Sequence, residues 1–406
     1  MKKLSNKKIL SIALFTALAI VFASGTAIVS AIPDEIILFE SEKIDIGKLF
    51  TVESQTDFGG VVADGVFTNE EDNYFADVKF VGLIPVKTVK VSVVENPKVV
   101  PGGNSIGIRL YTDGLMVVGV SDFETAYGGM ASPARNGGIK TGDIIKKVNS
   151  QSVNTASGFS NIVDRADGKA VEIEISRDGH PISLSITPTL DIKNSYKLGL
   201  WIRNSVAGIG TMTFYNPEKN VYGALGHGIT DSDTNDVVPV GKGEVVPAQI
   251  TSVKKSERGS PGELHGIFTD EGVIGDVIIN SSGGIYGEVK NPDFFSDNEI
   301  EVAPRSEITE GRAYILSSIN DTEVGTYEIE IQRVSHRKNA ETKCMIIRVT
   351  DEKLLEQAGG ILQGMSGSPI IQNGKLVGAV THVFLNDPTR GYGIFADAMI
   401  KNSMKI

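Results

Sequence analysis

The stretch Gly364-Met365-Ser366-Gly367-Ser368-Pro369 sets a serine between glycines on a tight turn, with apolar, strand-like runs on either side. Such a turn exposes the hydroxyl. It also lets successive backbone N–H groups converge beside it, the geometry that stabilises a tetrahedral oxyanion. The expected donors are the N–H groups of Gly364 and Ser366. A serine hydroxyl holds its proton too tightly to attack at neutral pH, so a base is required. Of the five histidines, His227 is best placed, because the run Tyr222-Gly223-Ala224-Leu225-Gly226-His227-Gly228 delivers it to a glycine-rich bend upstream of the serine. His382 ends the strand after the serine, where it could line a cleft but follows the nucleophile in the chain. His180 sits at an expected hairpin tip, and His265 and His336 lie in polar, turn-like contexts. The chemistry this predicts is acyl transfer, with Ser366 as nucleophile and His227 as general base.

Positioning these two groups needs strands. After the serine, Pro369-Ile370-Ile371 leads to an expected turn at Asn373-Gly374 and a returning strand over 376–380. This pattern resembles the serine region of chymotrypsin-fold proteases. Further strands expected at 208–214, 274–279, 312–316, 327–334 and 345–349 fit two packed β-barrels over 198–406, with His227 on the first and Ser366 on the second. An α/β-hydrolase is the competing reading of a glycine-flanked serine. Its elbow requires glycine where this chain has Ser368, and its histidine follows the serine.

The chain has 406 residues, too many for one ordinary core, and 45 glycines among Val- and Ile-rich runs favour a mainly β protein. A formal net charge of -11 argues against a nucleic-acid partner. Cys344 is the sole cysteine, which excludes an intrachain disulfide and any multi-cysteine zinc site. Without metal-ligand spacing or a phosphate-binding glycine loop, neither a metal nor a cofactor is expected.

Four lysines within the first eight residues precede an uncharged run over 9–32, long enough to span a bilayer, and Val29-Ser30-Ala31 offers small residues at signal-peptidase spacing. Residues 1–32 are therefore a signal peptide or a membrane anchor, and the body of the protein is exported. Residues 33–98 alternate apolar strands, clearest at 78–84 and 86–94, with acidic turns, and are expected to form a β-rich spacer. Residues 99–190 resemble a PDZ domain, most specifically at Gly142-Asp143-Ile144-Ile145, with a helix over 156–166 and a hairpin around Asp178-Gly179. PDZ domains add a peptide strand to a sheet edge beside a glycine-containing loop. The matching loop is Ser105-Ile106-Gly107-Ile108, where Ser105 replaces the usual first glycine. The alternative role for such a module is an internal spacer or brake.

The combination of membrane segment, PDZ region, Ala224-Leu225-Gly226-His227-Gly228 and Gln363-Gly364-Met365-Ser366-Gly367-Ser368-Pro369-Ile370 resembles the stage IV sporulation protein B peptidases of endospore-forming bacteria. The resemblance implies a serine endopeptidase exported from the forespore into the space between its two membranes. There it would cleave a regulatory membrane protein, leading to activation of a late sigma factor, and would process its own N-terminal region between residues 33 and 101. It also implies Asp351, fifteen positions before the serine (366 − 351 = 15), as the acidic partner of His227. The residues themselves leave two alternatives open: Asp351 as the cap of a short helix over 353–357, and Asp276 as the orienting acid. Two further functions compete, a quality-control protease of the HtrA type and a non-enzymatic PDZ scaffold. HtrA proteins place the protease before PDZ, the reverse of the order here.

Overall fold

A computed structural model describes residues 35–39, 50–54, 73–94, 96–335 and 342–406. The expected signal or anchor at 1–32 lies outside the described residues. Among those residues no helix is long and apolar enough to cross a membrane. The chain divides into two units, 1–97 and 98–406.

In the first unit, strands Glu35–Phe39, Phe50–Ser54, Asn73–Phe80 and Ile84–Val94 form one sheet, in which the first strand runs parallel to the last. The expected strands at 78–84 and 86–94 are the two arms of a hairpin. Its turn falls earlier than the apolar pattern suggests, because Val81 and Gly82 both adopt left-handed backbone (φ 51° and 69°) and reverse the chain there.

The second unit is mainly β and holds three apolar cores. The C-terminal core lies inside a closed six-stranded barrel built from Gly311–Asn320, Glu323–Val334, Met345–Val349, Pro369–Gln372, Lys375–Phe384 and Asp387–Phe395. Period-two alternation sends Ile329 and Ile331 inward against Met345, Ile347, Ile370 and Val380. Between Pro369–Gln372 and Lys375–Phe384, Asn373 and Gly374 take φ 53° and 78°, the paired left-handed conformation that an Asn-Gly hairpin supplies.

The second core belongs to a half-barrel of Ser105–Val120, Leu200–Asn216, Val221–Ala224, Lys242–Lys254 and Gly284–Glu288, lined by Ile106, Ile108, Leu110, Met212, Tyr222 and Val245. A bridge between Gly275 and Val289 links its two edges. The expected strand at 274–279 is split into Gly275–Asp276 and Ile279–Ser281.

The third core fills a small module between residues 115 and 200. Helix Ala156–Arg165 buries Phe159 and Val163 against strands Ile144–Val148 and Val171–Arg177. Thr155 caps this helix, its hydroxyl accepting the Gly158 N–H at 3.1 Å. The hairpin around Asp178-Gly179 forms as expected.

The boundaries of the sequence reading need two corrections. The catalytic unit does not begin at 198, and the PDZ-like region does not begin at 99. Strands Ser105–Val120 and Leu200–Asn216 pair along most of their length, from Ser105 opposite Thr211 to Val120 opposite Leu200. Their far ends build the module and their near ends build the half-barrel, so the module is an insertion into the half-barrel. In consequence Ser105, Ile106, Gly107 and Ile108 are not a peptide-capturing loop. They form a central strand paired with Gly208–Thr211 on one side, and Ile106–Ile108 pair with Lys242–Lys254 on the other; all four residues are buried. A strand with neighbours on both edges has no free backbone groups to offer a ligand. Gly107 serves close packing instead, since a Cβ there would lie 2.3 Å from the Phe268 ring.

Candidate active site

The fully buried strand Val221–Ala224 ends in two left-handed residues, Leu225 and Gly226 (φ 69° and 68°), which turn the chain outward and present His227. A leucine in that conformation costs about 1–2 kcal/mol, so the surrounding packing must hold the bend. The imidazole Nδ1 lies 2.9 Å from the Gly228 carbonyl oxygen. Donation to that carbonyl fixes the proton on Nδ1 and leaves the Nε2 lone pair as the base. Burial lowers the His227 pKa below that of a free histidine, partly countered by the Gly228 bond.

The serine turn is held from behind by one strand of the half-barrel. Thr211 N–H donates to the Ser366 carbonyl at 3.0 Å, its hydroxyl donates to the Gly364 carbonyl at 2.8 Å, and the Thr213 hydroxyl donates to the Gly367 carbonyl at 2.7 Å. With these carbonyls engaged, the N–H groups of Gly364 and Ser366 have no acceptor among the described residues. Two unengaged donors flanking a serine are what an oxyanion hole presents. The Ser366 hydroxyl itself donates to the Thr381 carbonyl at 2.7 Å in this resting state. The buried pair Thr211 and Thr213 escaped the sequence reading. Its signal was two hydroxyls two positions apart in the otherwise apolar stretch 206–215, where each must find a partner once buried.

His227, Gly364, Ser366 and His382 line one cleft of about 1200 Å³ between the half-barrel and the closed barrel. The structure thus brings together the proposed nucleophile, base and oxyanion donors. It also places His382 there, with its ring centroid 5.1 Å from that of His227. Partial burial, then the nearby His227 and Lys343, push the His382 pKa down to about 4.

No carboxylate lines this cleft among the described residues. Asp351 lies elsewhere and is the N-cap of helix Glu352–Ala358: one carboxylate oxygen accepts the Leu354 N–H at 2.9 Å and the other the Glu328 N–H at 3.3 Å. Asp276 accepts from Lys290 Nζ at 2.6 Å and is likewise absent from the cleft lining. The acceptor beside the imidazole is the Gly228 carbonyl. His180 and His265 lie outside the cleft lining, and His336 lies outside the described residues. Replacing Asp351 by alanine is expected to cost about 1 kcal/mol of stability through loss of the cap, read by denaturant unfolding. Lost activity with unchanged stability would instead return Asp351 to the chemistry.

The lowered histidine pKa values fix a pH response. A base must be neutral to accept a proton, so the acid limb of kcat/KM should fall at a pH below 6.5, the ordinary histidine value. Unfolding releases both histidines to bind protons that the folded protein refuses. Stability from this source is therefore complete above pH 6.5 and declines as the pH drops from there toward 4. A pH series of thermal unfolding beside the rate profile checks both. An acid limb at or above 6.5 would mean that another group is the base.

The sequence profile of the SpoIVB peptidase S55 family matches residues 194–400, just over half of the chain. The chain belongs to this family. It is a serine peptidase, and His227, Asp351 and Ser366 all fall within the matched span. Solved structures similar to the peptidase include the Rv3671c protease from M. tuberculosis in its active form, at 13% identity over 49% of this chain and 74% of that one, with a TM-score of 0.32. The inactive form of the same protease matches at 14% identity over 49% and 84%, with a TM-score of 0.29. The PDZ domain of an SdrC-like protein from Listeria monocytogenes matches at 21% identity over 22% of this chain and 87% of that one, with a TM-score of 0.19.

Proposed function

We propose that the peptidase is an exported endopeptidase of sporulation signalling, with a chymotrypsin-like pair of barrels as its catalytic unit and a PDZ-type module inserted into the first. The observation that carries this reading is the meeting of His227, Ser366 and two unengaged N–H donors in one cleft of a chain from this family. Ser366 Oγ leaves the Thr381 carbonyl and bonds to the scissile carbonyl carbon while His227 Nε2 takes its proton. The N–H groups of Gly364 and Ser366 hold the oxyanion. The C–N bond then breaks as His227 returns the proton to the leaving amine, and water repeats the sequence to free Ser366. A backbone carbonyl orients the imidazole but carries no full negative charge to stabilise the imidazolium.

The physiological substrate in this reading is a regulatory membrane protein exposed between the forespore and mother-cell membranes. A second substrate is the chain's own N-terminal region, with cuts between residues 33 and 101. The N-terminal segment would hold the enzyme at the membrane until it is removed, and the inserted module would bind a peptide. Intact-mass analysis of the full chain over time, wild type beside Ser366→Ala, tests the reading. Progressive loss of N-terminal fragments in the wild type alone is expected. Equal and stable masses, together with no cleavage of added peptides, would overturn it.

A further inference from the structure

The strand Leu200–Asn216 has an open edge that runs from the inserted module into the catalytic cleft. Residues 200–211 pair with Ser105–Val120 along one side, whereas pairing to Val221–Ala224 on the other side begins only at Met212. Among the described residues, no second strand covers 200–209. The direction of the backbone groups follows from two hydrogen bonds. Thr211 N–H points away from Ser105–Val120, to the Ser366 carbonyl, and Met212 N–H points toward that side, to the Asn104 carbonyl. The register is unbroken from Ser205 to Thr211, so Ser205, Ala207 and Ile209 also turn their N–H and C=O groups to the open edge, whereas bulges between Trp201 and Ile202 and between Arg203 and Ser205 interrupt it nearer the start of the strand. All three line the cleft.

Toward its start the same strand enters the module and runs beside helix Ala156–Arg165. Four residues before the strand, Tyr196 N–H donates to Asp164 near the end of the helix at 2.8 Å, and within the strand the Asn204 amide donates to the Asn154 carbonyl just before the helix start at 2.7 Å. Strand and helix therefore lie side by side in opposite directions. Trp201, the chain's single tryptophan, stands 66% exposed on this stretch. A long uncovered edge is a standing template for an added strand, which most proteins block.

Resting on the peptidase reading above, we propose that this edge, regular over Ser205–Ile209 and bulged nearer Leu200, is a rail for the substrate segment on the C-terminal side of the cut. The occupant is an extended polypeptide, because the rail is continuous with the cleft where a peptide bond must lie and offers backbone groups for pairing. An antiparallel strand, the arrangement of every pair this strand makes, places its N-terminal end at Ile209 beside Ser366 and its later residues at Leu200. Its length is about ten residues, on the order of 30 Å. The Asn204 bond to Asn154 reaches from the rail to the module and is exchanged for pairing when a peptide enters. The module thus measures how much chain follows the scissile bond.

A tryptic mixture of proteome peptides, digested by the full-length protein and read by mass spectrometry, tests the rail. Cuts followed by ten or more residues should outnumber, by about tenfold after correction for frequency, those followed by fewer than five. Ala207→Pro removes an outward N–H without touching the ladder to Ser105–Val120, and should bring that ratio to about one. As a second readout in the Ser366→Ala protein, Trp201 fluorescence should shift with a synthetic peptide carrying ten residues beyond a mapped cut and not with one carrying two. Cut frequency independent of downstream length in the wild type would overturn the rail while leaving the peptidase reading intact. Cuts no more frequent than in Ser366→Ala would remove the peptidase reading and the rail with it.

Discussion

Ser366→Ala is expected to lower peptide cleavage by about 10⁶-fold while the protein keeps its fold. The hydroxyl makes one bond in the resting state, to the Thr381 carbonyl, and the turn is held through its own backbone carbonyls, which alanine retains, by the Thr211 N–H, the Thr211 and Thr213 hydroxyls and the Val380 N–H. Loss of that single bond should cost about 1 kcal/mol. His227→Ala should produce a similar rate loss. The double variant should be no more than about tenfold worse than either single one, because nucleophile and base act as a unit and neither works without the other. Measured kcat/KM values for the three variants, with circular dichroism as the folding check, decide the matter. Multiplicative losses would mean that His227 and Ser366 serve different steps. Full activity in either single variant would remove it from the site.

Gly367→Ala is expected to damage both the stability and the activity of the catalytic unit. Gly367 sits at φ +98°, and a Cβ there would lie 2.1 Å from the Thr211 carbonyl oxygen and 2.6 Å from the Leu225 nitrogen. Both obstacles are backbone, one in the strand that holds the serine turn and one in the bend that presents His227. Neither can rotate aside. Overpacking and left-handed strain together should cost about 3 kcal/mol or more, a fall in Tm of about 5 °C or more for a unit of this size. The remaining folded protein should lose about 100-fold in kcat/KM, since displacements near 1 Å at a catalytic group have effects of that order. Gly374→Ala is the control. It too has positive φ, at 78°, but meets nothing within 4 Å at its turn tip, so it should lose about 1 kcal/mol and keep its activity. Equal effects of the two substitutions would show that strain alone, without the interlock of serine turn and histidine bend, accounts for the loss.

Local signals were legible wherever the chemistry is local. The serine turn, the Asn373-Gly374 and Asp178-Gly179 hairpins and the helix over 156–165 follow from glycine, asparagine and apolar spacing within a few residues. The cap at Asp351 was legible in the same way, as an aspartate opening a short amphipathic run, although family resemblance pointed it toward the histidine. Four things could not be read along the chain. The use of Ser105–Ile108 as a paired central strand depends on partners about 100 and 140 residues away. The bonds from Thr211 and Thr213 to the serine turn join positions more than 150 residues apart. The replacement of a carboxylate by the Gly228 carbonyl beside His227 depends on the Leu225-Gly226 bend. The insertion of the module into the half-barrel makes one strand serve both. By itself, then, the sequence determined which residues can attack, accept a proton and turn the chain, because those properties belong to side-chain type and to backbone freedom over a few positions. Only the tertiary structure decided which backbone groups are consumed by pairing and which stay free, because a strand's edges acquire meaning from distant segments that cover or fail to cover them.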